Sequence, residues 1–314
     1  MQILSESEIQ PNEIDHLGHM NVRFYMERAQ TANKALMQRF GLESDEPNPS
    51  AMLVQRDSYV RYHREQFQGS TLAVKGGVLD ADADGVRLYF ELVNDAKAQV
   101  AATFILVVGL VERATRTALP IPADAIGRAL QGQVALPEYG GPRTVDLGSP
   151  RLDLAFEELA ARLTEDLQDP MSRRMERTID AADCDEHGFL AEGQDAMFGG
   201  FRLPPREPGA GAPFGPMTFV SEEGHRLGWA SMETRHLRLS QPRAGDVICS
   251  LGAEIGLGEK IRHSRRWVFN KGAGALISLN DNVNVALDLD ARRSIVIPPK
   301  LRRQLEQRHV PEFA

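Results

Sequence analysis

The 314-residue chain carries the same ordered set of signals twice. The loop IDHLGHMN at 14–21 has a counterpart in DCDEHGFL at 183–190, so that Asp185 follows Asp15 by 170 positions (185 − 15). EQFQGST at 65–71 is paralleled by QPRAGDV at 241–247, and Pro122 of LPIP by Pro298 of SIVIP, 176 positions later (298 − 122). Three anchors in one order at nearly constant offset point to a tandem duplication. The competing reading is two unrelated α+β domains.

Each repeat reads as strand, loop, helix, then an antiparallel meander. In the first, a short alternating strand over residues 2 to 9 precedes the loop. Val22, Tyr25, Met26, Ala29, Ala32, Leu36 and Phe40 then recur at the three- and four-residue spacing of one helix face, and Gly41 supplies the stop. MLVQRDSYVRYH, TLAVKGGVLD, VRLYFELV and AQVAATFILVVGLV follow as strands, with DADADG at 80–85 and NDAK at 94–97 as hairpin turns. The second repeat offers a shorter helical stretch, AEGQDAMFGGFR, and the strands METRHLRLS, DVICSLGAEI, IRHSRRWVFN and GALISLNDNVNVALDLD. Leu152, Phe156, Leu159, Leu163 and Leu167 predict a helix between the repeats that packs across the domain junction. Residues 204–216, rich in Pro and Gly, predict an inserted loop or lid. The predicted organisation is an N-terminal domain at 1–130, a helical linker at 131–170 and a C-terminal domain at 171–314. The fold class is α+β, with a long helix wrapped by an antiparallel sheet in each domain.

Bulk properties exclude several function classes. A formal charge of −8 argues against a broad basic face for nucleic acid or an anionic membrane. Two cysteines, Cys184 and Cys249, give neither a disulfide framework nor a CxxC zinc motif and suit a reducing cytosol. MQILSESEIQ lacks the basic and apolar regions of a secretory signal, and VAATFILVVGLV at 100–111 falls short of the ~20 residues a membrane helix needs. The expected location is the cytoplasm.

The loop pattern D-x-x-G-H-x-N, carried by Asp15, Gly18, His19 and Asn21 and followed by Tyr25 and Glu27, resembles the 4-hydroxybenzoyl-CoA thioesterase-like family of the hot-dog fold. Val22 stands where that family has a second asparagine. Asp183, Cys184, Asp185, Gly188, Phe189 and Leu190 resemble the family's other variant. The resemblance covers about 125 residues of each repeat. It implies two tandem hot-dog domains paired as an intramolecular pseudo-dimer, hydrolysis of an acyl-CoA thioester, and no cofactor beyond the coenzyme A of the substrate. A homo-oligomer of the double-domain chain is compatible with it. Asp15 and then Asp185 are the expected nucleophile or general base, assisted by His19 and Asn21. Gly18, Met20, Val22, Arg23 and Tyr25, with His187, Gly188 and Phe189 in the second repeat, are the expected substrate contacts.

The physical rationale is local. A glycine lets the chain turn tightly into a helix whose first N–H groups lack intrahelical partners. Those at residues 20–23 would polarise a thioester carbonyl and stabilise its oxyanion. A nearby carboxylate then attacks as a nucleophile or activates water as a general base, and the residues leave both routes open.

Rival chemistries are weaker. Asp15, His16 and His19, or Asp183, Cys184, Asp185 and His187, lack a complete metal-ligand spacing. Cys184 sits in an acidic run that raises a thiol pKa, and no G-x-S-x-G occurs. A non-catalytic acyl-CoA-binding protein and a hot-dog hydratase remain as alternatives, although the G-D-x-N-P-x-H pattern of the latter is missing. Arg61, His63, Arg64, Arg292, Arg293, Arg302 and Arg303 are candidate partners for coenzyme A phosphates.

Overall fold

The computed structural model describes residues 1–314 except 16, 45–47, 149, 164–174, 192–217 and 221–225. The chain divides into two compact units, Met1–Arg143 and Thr144–Ala314. The stretch AEGQDAMFGGFR beyond Ala191, the Pro/Gly-rich 204–216 segment and His16 lie outside the described residues.

In the first unit, β1 (Gln2–Glu8) leads through the loop to α1 (Val22–Arg39); β2 (Ala51–Tyr62), expected to open the meander, pairs instead with the last of its strands, and β3 (Thr71–Ala81), β4 (Val86–Asn94) and β5 (Gln99–Glu112) alone form it. The sheet order is β1-β3-β4-β5-β2, and β6 (Ala118–Leu119) pairs with β5. A short helix, α2 (Ala123–Leu130), closes the unit. The apolar face predicted for α1 is the buried one except at its first residue, Val22, which is exposed. Tyr25, Ala29, Ala32, Leu36 and Met37 pack on Val74, Val78, Phe90, Phe104 and Leu106 of the sheet. Burying such side chains contributes about 1.5–3 kcal/mol apiece for the larger ones, which outweighs the modest helix propensity of α1's own residues.

The second unit contains α3 (Phe156–Arg162), β7 (Met175–Thr178), β8 (Thr218–Val220), β9 (Arg226–Arg238), β10 (Val247–Leu257), β11 (Ile261–Asn270), β12 (Ala275–Asp288), β13 (Arg293–Ser294) and α4 (Pro299–Glu306). Its strands run β7-β10-β11-β12-β9, with β13 on β12 and β8 on β9. The helix predicted between the repeats, α3, contributes Phe156 and Leu159 to the core of this unit beside Trp267 and Phe269. Leu152 is exposed, and Leu167 lies outside the described residues.

The duplication extends to single hydrogen bonds. Val78 N–H donates to Gly132 O and Val134 N–H to Val78 O; at an offset of 176, Glu254 N–H donates to Arg308 O and Val310 N–H to Glu254 O. Pro122 and Pro298 occupy the N-caps of α2 and α4. Unrelated domains would not share such pairings, so the two-domain repeat is a structural fact.

The face of the first unit's sheet turned away from α1 carries a polar cluster. Tyr89 Oη and Tyr139 Oη both donate to Glu91 Oε1, at 2.9 and 2.6 Å. Arg61 donates to the carbonyls of Tyr139 and Gly141, and His63 Nε2 lies 3.2 Å from Thr103 Oγ1. Arg61, His63 and Arg64, offered above as phosphate partners, are therefore engaged within the unit, Arg64 on the His63 carbonyl. Burial, with the charges of Arg61 and Arg64, lowers the His63 pKa to about 4. A histidine whose folded-state pKa lies below the usual 6.5 contributes stability above that value, and loses it as pH falls from 6.5 toward 4. The urea midpoint is expected to fall between pH values of about 7 and 4.5, and to fall less in His63→Leu, which installs the side chain of the second unit's Leu239. Equal losses in both proteins would refute a role for His63.

Candidate active site

The loop before α1 is built by local chemistry. Asp15 Oδ1 accepts the Leu17 N–H at 2.8 Å, forming a side-chain-closed turn. Gly18 N–H returns to Asp15 O, and Gly18 takes φ +84°, a conformation that favours glycine. Asp15 N–H then bonds His19 O, and Ile14 bridges Met20. Asn21 caps α1, its Oδ1 accepting from Arg23 N–H at 3.0 Å. Asn21→Ala is expected to cost about 1 kcal/mol of unfolding free energy in urea titration. A change below a few tenths would show the cap to be dispensable.

Side chains from further along the chain complete the site. Asp15 Oδ2 lies 3.4 Å from His19 Nδ1, and both side chains are mostly buried, at 16% and 15% exposure. The other ring nitrogen, His19 Nε2, lies 3.5 Å from Glu65 Oε1. Arg28, buried on α1, pairs with Glu13 at 2.7 Å and bonds Ser7 Oγ, fastening the helix to the turn ahead of the loop and to β1.

The structure places the backbone donors more narrowly than residues 20–23. Met20 N–H bonds Gln66 O at 2.7 Å, Asn21 N–H bonds Glu13 O at 2.9 Å, and Arg23 N–H is taken by the cap. Val22 N–H alone of the four has no acceptor among the described residues. The expectation that the whole stretch is available is thus corrected, because the loop's own bridges and cap consume three donors.

The other predicted contact residues are dispersed. Met20 is fully buried in the core. Tyr25 packs edge-on against Tyr62 and donates to Arg64 O at 3.1 Å, and burial raises its pKa strongly. Arg23 is exposed and pairs with Glu27 at 2.6 Å.

The second loop keeps the frame and changes the side chains. Asp185 N–H bonds Phe189 O, Gly188 has φ +77°, and Cys184 bridges Leu190. Asp185 Oδ1, however, accepts two backbone N–H groups, from His187 at 2.9 Å and Phe189 at 3.1 Å. Phe189, covered by the Arg243 guanidinium 4.2 Å from its ring, occupies the place of His19. Ala191, whose N–H bonds Asp183 O, occupies that of Asn21, and Gln241 that of Glu65. His187 stands 3.5 Å from Glu186, and Asp183 is paired with Arg177. Burial and then the Asp185 charge raise the Cys184 thiol pKa, as its acidic surroundings predict. No group of three His, Cys, Asp or Glu able to hold a metal occurs among the described residues.

Glu65 and Gln66 carry no motif in the sequence. The one signal for them is the 65–71 anchor, which shows that the repeats diverge there from Glu65 to Gln241.

Residues 9–130 match the family model described as the thioesterase-like superfamily. The first unit is similar to that superfamily over most of its length. Its matched span runs from the end of β1 through α2 and contains Asp15, His19, Asn21 and Glu65. Solved structures with the same fold include a protein assigned as an oleoyl thioesterase from Lactobacillus plantarum (TM-score 0.61, 10% identity, 90% of this chain and 93% of that one). The 12:0-ACP thioesterase from Umbellularia californica gives 0.60 at 12% identity, covering 90% of this chain and 93% of that one. An acyl-ACP thioesterase from Bacteroides thetaiotaomicron gives 0.54 at 9% identity, covering 89% and 96%. Matches of that length establish the hot-dog thioesterase fold for nearly the whole chain. No curated protein sequence matches it. No helix among the described residues is long and apolar enough to cross a membrane.

Proposed function

We propose that the chain hydrolyses acyl thioesters, carried on coenzyme A or an acyl carrier protein, at the loop of its first unit. The observation that carries this reading is the Asp15–His19 pair, mostly buried, at the entrance to a capped helix whose Val22 N–H has no acceptor among the described residues. The family that the first unit is similar to and the names of the structures that share the fold support the same chemistry.

In this reading the thioester oxygen accepts the Val22 N–H, and the positive end of α1 favours the charge that develops there. Asp15 follows one of two balanced routes. As a nucleophile its oxygen bonds the carbonyl carbon, the thiolate leaves, and water then cleaves the mixed anhydride. As a general base it takes a proton from water, the hydroxide adds to the carbon, and the thiol departs with the proton. His19 holds the Asp15 carboxylate on one ring nitrogen and faces Glu65 with the other.

The second loop supports a structural role for Asp185, since two backbone donors hold one of its oxygens and Phe189 replaces the histidine. The decisive measurement is thiol release from a panel of acyl-CoA and acyl carrier protein substrates. Release above the uncatalysed rate supports hydrolysis. Tight binding without release would replace it with a non-catalytic acyl-thioester-binding protein, and loss of enoyl absorbance without thiol with a hydratase.

A further inference from the structure

The two sheets can be compared row by row, because their strands share one register. In the first unit a cross-strand row on the face toward α1 reads Gly76, Phe90, Phe104, Val60. The same row of the second unit reads Gly252, Arg266, Asn280, His236. A neighbouring row changes from Val74, Leu92, Ala102, Tyr62 to Ser250, Val268, Ser278, Arg238. Strand and register are kept while aromatic and aliphatic side chains give way to arginines, an asparagine, a histidine and serines.

Such a face is costly as a plain core. A buried polar group without a partner loses about 1–3 kcal/mol, and a buried guanidinium more. Ser250 and Ser278 are buried. Ser278 Oγ and Asn280 Nδ2 are buried atoms that lack a hydrogen-bond partner among the described residues. Arg266 donates to Ser250 Oγ at 3.1 Å, and burial together with the neighbouring Arg308 charge lowers its pKa. Glu254, the carboxylate beyond these rows on the same face, already faces Arg262 at 3.5 Å. Cations therefore outnumber carboxylates along this face, and its uncommitted atoms include an amide donor and a hydroxyl. That set matches an oxyanion, which accepts bidentate bonds from guanidinium and single bonds from amide and hydroxyl groups.

We propose that this face of the second unit, centred on Arg266, Asn280, Ser278 and Arg238, binds a small ligand bearing a phosphate or carboxylate group. On the equivalent rows of the first unit Phe90, Phe104, Ala102 and Tyr62 fill the same positions and offer no such set of donors. The inference stands apart from the hydrolytic reading and does not need Asp15.

Calorimetric titration of the full chain with inorganic pyrophosphate, with glutarate and with coenzyme A tests it, the arms separating phosphate from carboxylate. At least one probe is expected to bind. Arg266→Phe and Asn280→Phe, which install the first unit's residues, are expected to weaken that probe tenfold or more while the unfolding midpoint stays or rises. Should a phenylalanine variant fail to fold, Arg266→Met and Ser278→Ala serve, with the same expected loss. Failure of every probe to bind the wild type, or binding that no folded variant weakens, overturns the proposal.

Discussion

Asp15→Asn lowers thiol release from a reactive acyl-CoA by about 10³-fold, within the range attributed to a positioned acid or base, whereas Asp185→Asn retains most of the rate. The contrast follows from the two loops. Asp15 Oδ1 holds one backbone N–H and its Oδ2 faces His19. Asp185 Oδ1 closes a tighter turn with two N–H donors and stands in a loop where phenylalanine and alanine replace His19 and Asn21. Asparagine keeps the acceptor that the Leu17 N–H needs, so the substitution tests the charge rather than the turn. Steady-state rates on folded variants decide the matter. An Asp15→Asn enzyme retaining more than a tenth of the wild-type rate, or an Asp185→Asn enzyme that loses as much as Asp15→Asn, would sink the assignment.

Phe104→Ala destabilises the first unit by about 3–5 kcal/mol, the cost of removing a fully buried aromatic ring and leaving a cavity that its neighbours only partly fill. Phe104 sits in the centre of the sheet, paired with Phe90 and Val60 and packed in the cluster beneath α1. A loss that large is a substantial fraction of the stability of an ordinary domain. Asn280→Ala at the equivalent place in the second unit removes no apolar surface and costs far less. Urea titration followed by both circular dichroism and tryptophan fluorescence suits a two-unit chain. Both tryptophans, Trp229 and Trp267, belong to the second unit, so a first-unit transition appears in ellipticity and not in fluorescence. A loss under about 1 kcal/mol would mean that the sheet and helix are not tightly packed.

Much of this architecture was legible in the residues. The spacing of apolar side chains from Val22 to Phe40 gave α1, and the turn sequences DADADG and NDAK gave the hairpins on either side of β4. The loop was also readable, because an Asx-closed turn, a left-handed glycine and an asparagine cap are each made by residues within a few positions of one another. The helix read as a bridge across the junction illustrates the limit. Its apolar stripe announced burial but not the partner, and Phe156 and Leu159 found theirs in the second unit's own core.

The same distinction separates what the chain dictates by itself from what folding adds. The repeat, the run of strands and helix along the chain and the shape of both loops follow from periodicity and short-range bonding, which any reader of the residues can trace. Glu65 beside His19, the capture of the Met20 N–H by Gln66, and the polar rows of the second sheet depend on strands meeting in one register across tens of residues. Register is fixed by the packing of a whole face rather than by neighbours in sequence, so these features came into view only in the folded chain.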